Sequence, residues 1–228
     1  MFFDRYDAGN QLATKLQSYK NTDTVVLALP RGGVLVGYEI ATDLGLPLDI
    51  IITRKIGHPF NKEVAICAVT EDGRRVSDDW GLCGLDDDSW LRHETEVAMT
   101  EAVRRRKMYG AKTQLSITNK TVIVTDDGVA TGLTMKAALL MVRAQKPKKI
   151  ILAIPVCPRD VLAELTDLVD EVVILDKDKE FRGAVGLYYT HFAEVYDKEV
   201  VVCLKSANKN EADYSFLNTD HYQTNSRT

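Results

Sequence analysis

Along the chain, hydrophobic residues gather into short β-branched runs separated by amphipathic stretches. The runs are TVVLAL (24–29), LDIIIT (48–53), VAICAV (64–69), TVIVT (121–125), KIILAIP (149–155), EVVIL (171–175) and EVVVCL (199–204). Most are apolar throughout rather than alternating, the pattern of strands buried on both faces, as in a parallel sheet. Helical periodicity lies between many of them. Residues 8–19 place Leu12, Leu16 and Tyr19 on one face. Residues 34–44, 131–145 and 159–169 follow the first, fourth and fifth runs. Repetition of strand, helix and strand predicts an α/β fold around a mostly parallel sheet.

Two segments break the rhythm. Residues 85–110 read as one long helix, started by Asp86, Asp87, Asp88 and Ser89 as capping chemistry and stopped near Gly110. Residues 181–196 are aromatic-rich, with Tyr188, Tyr189, Phe192 and Tyr196 close together. From 205 to 228 the chain is polar and aperiodic, and reads as a loose tail after a single domain over 1–204.

Composition narrows the function classes. Of 228 residues, 45% are hydrophobic and 27% charged, which suits a soluble globular protein. A net charge of -4 offers no global field for nucleic acid or an anionic membrane. Runs such as IILAIPV (150–156) are far shorter than the roughly 20 residues of a spanning helix. Cys67, Cys83, Cys157 and Cys203 form no CxxC pair. This spacing argues against a disulfide framework or zinc site, and a reducing cytoplasm is the expected compartment.

The chemistry concentrates in VIVTDDGVATGLTM, residues 122–135. Two carboxylates follow a strand, and a loop of Gly, Ala and Thr then opens a helix. A helix start offers unpaired N–H groups and the positive end of the macrodipole, which favour an anion. Gly128, Ala130 and Gly132 let backbone approach that anion, and the Thr131 and Thr134 hydroxyls can donate to it. Asp126 and Asp127 would repel a bare phosphate. They make sense if the ligand also carries a ribose diol or a divalent cation. Neither GxxxxGK[ST] nor GxGxxG is present.

VIVTDDGVATGLT resembles the phosphoribosyl pyrophosphate motif of the type I phosphoribosyltransferases. The resemblance implies an open, mostly parallel twisted sheet flanked by helices, with a small hood over the site. It assigns Asp126 and Asp127 to the ribose hydroxyls and Gly128, Val129, Ala130, Thr131, Gly132 and Thr134 to the 5-phosphate and its surroundings. LPRGG (29–33) is similar to the family's pyrophosphate loop, which implicates Arg31, Gly32 and Gly33 and often contains a non-proline cis peptide. There Gly32 and Gly33 are expected to permit unusual backbone angles. In TRKIGHPFNKE (53–63), Arg54 and Lys55 either neutralise a departing pyrophosphate or form a solvated strand end. RRRKMYG (104–110), Arg92 and His93 read as solvated helix faces. Across 3–204, FDRYDAGNQLA, LPRGG and FRGAVGLYY resemble a bacterial subgroup of unassigned acceptor.

By this resemblance the chain transfers a phosphoribosyl group from phosphoribosyl pyrophosphate to a nitrogenous base and releases pyrophosphate. Lys55, Asp126 and Asp127 are its expected catalytic residues. Mg2+ is the expected cofactor, held mainly through the substrate and by Asp126 and Asp127. Enzymes acting on 6-oxopurines carry an acid where this chain has Ala130, so adenine, uracil or another acceptor fits better. The hood is expected from 181–196, and the family implies a homodimer, with an apolar face of the long helix as one candidate surface. A sensor of the same fold that binds the donor without turnover is the alternative, and Lys55 is the feature that separates the two.

Overall fold

Five of the seven apolar runs pair side by side in one sheet. They are β1 (Thr24–Ala28), β2 (Leu48–Ile50), β6 (Thr121–Thr125), β7 (Lys149–Val156) and β8 (Glu171–Asp176). Their order is β2-β1-β6-β7-β8, and every pairing is parallel. The computed structural model describes residues 1–58, 60–77, 89–111, 115–176 and 181–208, and only the backbone of 61–66 and 77.

Each central strand feeds two apolar layers, which explains why its sequence does not alternate. On β1, Val26 and Ala28 join the layer containing Leu12, Val36, Ile40 and Val200. Val25 and Leu27 join the opposite layer, with Met135, Ala138, Leu139 and Leu165. The first layer is supplied by helices α1 (Arg5–Lys15), α2 (Gly32–Leu44) and α6 (Asp197–Ala207). The second is supplied by α4 (Leu133–Ala144) and α5 (Arg159–Thr166). The α/β expectation therefore holds.

Two of the predicted strands correct the reading. VAICAV lies within β4 (Asn61–Thr70), which pairs antiparallel with β3 (Thr53–His58) and β5 (Arg75–Ser77) in a separate three-stranded sheet. The run LDIIIT is shared, its first half forming β2 and its last residue opening β3. EVVVCL is helical: it lies inside α6, where Val200, Cys203 and Leu204 face the core and Val202 is exposed. A short run that is apolar on every side carries no period, so helix and strand look alike. The deciding signal lies just upstream, where the Glu199 carboxylate accepts from the Tyr196 N–H at 2.8 Å and caps the helix start. Helix α6 carries the folded chain to buried Asn208, whose side chain bonds both backbone groups of Leu48.

The long helix is α3, Ser89–Met108, and Gly110 at φ 79° ends it, with Ala111 N–H bonded to Arg106 carbonyl at 3.2 Å. Asp86, Asp87 and Asp88 lie outside the described residues. Helix α3 packs Leu91 and Ala98 against Ile56, Cys67 and Val69 of the small sheet. The other side of that sheet, at Ala68 and Val76, meets Leu133 and Ala137 of α4. Arg106 departs from the solvated reading. It is 7% exposed, spans to Glu71 at 2.6 and 2.8 Å and to fully buried Asp49 at 3.0 Å, and so ties the small sheet to the main one. Cys67 is disulfide-bonded, against the expectation from spacing, because the number of residues between cysteines does not fix their separation in the fold. Cys157 and Cys203 are free and buried.

Candidate functional site

The carboxyl ends of β1, β6 and β7 lie together, and the loops that leave them build the site. Leu29 N–H donates to the Thr125 carbonyl at 3.0 Å, so the LPRGG loop runs beside the acid pair from its first residue. Val129 N–H donates to the Val156 carbonyl at 2.9 Å, which fastens the 126–134 loop to the end of β7. Within that loop Gly128 has φ 155° and Gly132 φ 77°, both in the region that favours glycine. Side chains there would also collide: a Cβ on Gly128 would stand 2.5 Å from Val185, and one on Gly132 2.5 Å from Val161. Helix α4 starts at Gly132 without a side-chain cap. Its first N–H groups donate no hydrogen bond to a capping side chain.

Gly32 and Gly33 serve a different purpose from the expected one. Neither has positive φ. Instead, a Cβ on Gly32 would lie 1.9 Å from an Asp127 carboxylate oxygen, and one on Gly33 would lie 2.7 Å from Asp126 Cα. Their missing side chains let the two loops pack face to face. The bond between Pro30 and Arg31 is a non-proline cis peptide, as the resemblance implied. The Arg31 guanidinium reaches the Glu194 carboxylate at 3.0 Å.

A cavity of about 170 Å³ opens over this loop, lined among others by Lys55, Asp126, Ala130, Thr131 and Thr134. Lys55 arrives from the small antiparallel sheet, 71 residues away in sequence from Asp126, and lines the same cavity. Gly128, Val129 and Gly132 line the same cavity. Arg54, on the neighbouring β3 position opposite Val69, does not line it. Met135 and Val185 also line it, and neither stood among the expected site residues.

The two acids are held differently. Burial, and then the adjacent Asp127 carboxylate, push the Asp126 carboxyl well above the usual carboxylate range. Asp126 Oδ1 accepts from the Asp127 N–H at 2.8 Å, which turns the pair into a fixed unit. Asp127 pairs with Arg5 at 2.7 Å, with 17% and 10% of the respective side chains exposed. The same guanidinium donates to the Ala193 carbonyl at 2.8 Å and lies 3.8 Å from the Phe192 ring centre. Tyr189 completes the cage by donating its hydroxyl to the Asp127 carbonyl at 2.5 Å. Burial raises the Tyr189 phenol further, so it stays a donor at neutral pH. Arg5 and Tyr189 escaped the sequence reading. The one signal for Arg5 is a cation in the first turn of a helix, where the macrodipole disfavours it.

Residues 181–196 gather against the N-terminus rather than the main sheet's interior. Phe2 N–H donates to the Tyr188 carbonyl and Thr190 N–H to the Phe2 carbonyl, each at 2.8 Å. Phe192 packs 5.0 Å from Tyr189, between ring centres, and shields the Arg5–Asp127 pair.

The phosphoribosyl transferase domain, as a sequence family, matches residues 4–190. The chain belongs to the phosphoribosyl transferase family. Two Mycobacterium tuberculosis proteins, from strains H37Rv and CDC 1551, are 39% identical over 215 residues, 93% of this chain, and each is named a "putative phosphoribosyl transferase". The chain spans about half the length of these curated relatives, 48% of each. Among solved structures, TT1426 from Thermus thermophilus is 38% identical, with a TM-score of 0.76 over 90% of this chain and 99% of that one. Sequence family and fold agree.

Proposed function

We propose that this chain transfers the 5-phosphoribosyl group of phosphoribosyl pyrophosphate to a nitrogenous base, releasing pyrophosphate. The observation that carries the reading is the cavity shared by Lys55, Asp126 and the 128–134 loop at the start of α4. The loop N–H groups and the Thr131 and Thr134 hydroxyls suit a 5-phosphate, and the acid pair suits the two ribose hydroxyls. Lys55 supplies positive charge at the cavity wall where the leaving group departs, and Arg31 would add to it from the neighbouring loop on leaving Glu194, whereas Arg54 points to the opposite face of β3. Displacement at the ribose carbon builds positive charge on the sugar and negative charge on pyrophosphate. Fixed charge and positioning therefore do most of the work, and no protein nucleophile is needed.

Magnesium fits this donor set as a substrate-borne ion. Among the described residues no group of three or more His, Cys, Asp or Glu side chains could hold a metal by itself. Two carboxylates, Asp126 and Asp127, suffice for an ion that takes its remaining oxygens from phosphates and water. When bound, it offsets charge on the pyrophosphate. Ala130 at the cavity wall brings no acid to the acceptor, which favours adenine, uracil or another salvage base over a 6-oxopurine. No helix among the described residues is long and apolar enough to cross a membrane. The donor and the free bases are small polar metabolites, and the cytoplasm is the proposed place of action.

A sensor of the same fold that binds the donor without turnover is the alternative reading, and the Arg5–Asp127 pair bears on donor binding under both. Pyrophosphate release separates the two: the protein is mixed with donor, magnesium and a panel of bases, and donor binding is followed in parallel by calorimetry. Release with at least one base supports transfer. Tight donor binding without release for any base supports the sensor, and absence of donor binding refutes both.

A further inference from the structure

Residues 189–194 lie across both loops of the site and touch each of them. The Tyr189 hydroxyl donates to the Asp127 carbonyl at 2.5 Å. The Ala193 carbonyl accepts from Arg5 Nη1 at 2.8 Å, while Arg5 itself pairs with Asp127. Glu194, the next residue, accepts from Arg31 Nη2 at 3.0 Å and so meets the LPRGG loop. This strap is held from behind as well. The Thr190 and His191 N–H groups donate to the Phe2 and Phe3 carbonyls, each at 2.8 Å.

The contact between Arg31 and Glu194 therefore joins two fixed backbones through two loose side chains. On one side, Gly32 and Gly33 pack the LPRGG loop against Asp127 and Asp126 with no room for a Cβ. On the other, the bonds at His191 and Ala193 pin the chain just before Glu194. The two side chains are 36% and 61% exposed, so they can part without moving either loop. An Arg guanidinium donates to carboxylate and to phosphate oxygens through the same planar fork. Arg31 is the only charged residue of LPRGG, and its partner is the protein's own carboxylate.

We propose that Glu194 is a positioning residue for Arg31 that makes the site selective for a ligand carrying a diphosphate. A ligand gains Arg31 only by displacing Glu194. Pyrophosphate, with several oxygens and more than one negative charge, competes for the guanidinium. A sugar monophosphate seated on the 128–134 loop leaves the pair closed. The inference rests on the donor reading given above, in which LPRGG faces the pyrophosphate. Half-exposed ion pairs are worth little, so displacing this one changes affinity by about 3-fold rather than by orders of magnitude. The pair is thus reversible: the donor opens it, and departure of pyrophosphate lets it close.

Calorimetric titration of the full chain with two ligands tests this: phosphoribosyl pyrophosphate with magnesium, and ribose 5-phosphate, which lacks the pyrophosphate. Glu194→Gln keeps the size of an exposed side chain and removes its charge, and thermal unfolding checks that the variant folds as wild type does. It is expected to bind phosphoribosyl pyrophosphate about 3-fold more tightly and ribose 5-phosphate as before. In an Arg31→Gln background the same change should alter donor affinity by less than about 1.5-fold, because no guanidinium is left to release. A merely structural Glu194 would move both ligands alike and would act without Arg31. Donor affinity unchanged or weakened in Glu194→Gln, an equal gain for ribose 5-phosphate, or a gain that survives Arg31→Gln would each overturn the proposal and leave the transfer reading standing. If neither wild type nor Glu194→Gln binds phosphoribosyl pyrophosphate, both fail together.

Discussion

Replacing Arg5 by Met gives the sharpest view of how the acid pair is held. The methionine keeps the packing against Phe192 but removes the ion pair to Asp127 and the bond to the Ala193 carbonyl. Asp127 would then stand as a mostly buried carboxylate beside Asp126, with no cation against it. Stranding one member of a fully buried pair costs about 3–5 kcal/mol. Here 17% of Asp127 still sees water, so about 2–3 kcal/mol is the better figure. For a chain of this size that lowers Tm by roughly 5–10 °C. The assay is a thermal and urea double-mutant cycle over Arg5→Met, Asp127→Asn and the pair of changes. A coupling of about 2 kcal/mol is expected, because once Asp127 is neutral the loss of Arg5 strands nothing. Additive effects, with coupling below about 0.5 kcal/mol, would refute the claim that Arg5 acts through Asp127.

The chemistry and the pH response follow from the same geometry. Lys55→Gln should leave donor affinity within about threefold of wild type, yet slow pyrophosphate release about 100-fold, the scale of removing one charge-stabilising group at a reacting centre. Pre-steady-state quench measures both; an unchanged release rate removes Lys55 from the site. Asp126 holds its proton more tightly folded than unfolded, because burial and Asp127 raise its pKa. Its contribution to stability is therefore complete below the ordinary carboxylate range and is lost as pH rises through the raised value. Asp126→Asn should flatten that fall in urea titrations carried out across the pH range; an unaltered slope contradicts the assignment.

Much of this site could be read in the sequence, because its residues come from the ends of strands that announce themselves. β6 and the 126–134 loop are contiguous, so residue chemistry and the family resemblance together singled out a stretch that lines one cavity. LPRGG lay at the end of β1 for the same reason, although the glycines turn out to make room for Asp126 and Asp127 rather than to bend the backbone. Long-range partners left no comparable trace. Arg5 reaches Asp127 across 122 residues and Tyr189 does so across 62, and no local pattern links either to an acid. Of the small sheet only β4 was legible as a strand, and not as part of a separate layer. Direction of pairing depends on β3 and β4 following one another through a tight connection, while their burial comes from α3 and α4. Arg106 shows the same limit, a basic residue in a charge run that is buried only because Asp49 and Glu71 lie opposite.

Donor binding by the acid pair is the point on which the functional reading turns, and calorimetric titration of phosphoribosyl pyrophosphate with magnesium measures it directly. Asp126→Asn/Asp127→Asn leaves the loop's small residues and the start of α4 intact but takes away both charged acceptors for the ribose hydroxyls. Hydrogen bonds to charged groups are worth about 1.5–3 kcal/mol each, so losing two should weaken binding at least about 100-fold. Donor affinity equal to that of wild type, in a variant that remains folded, would contradict it.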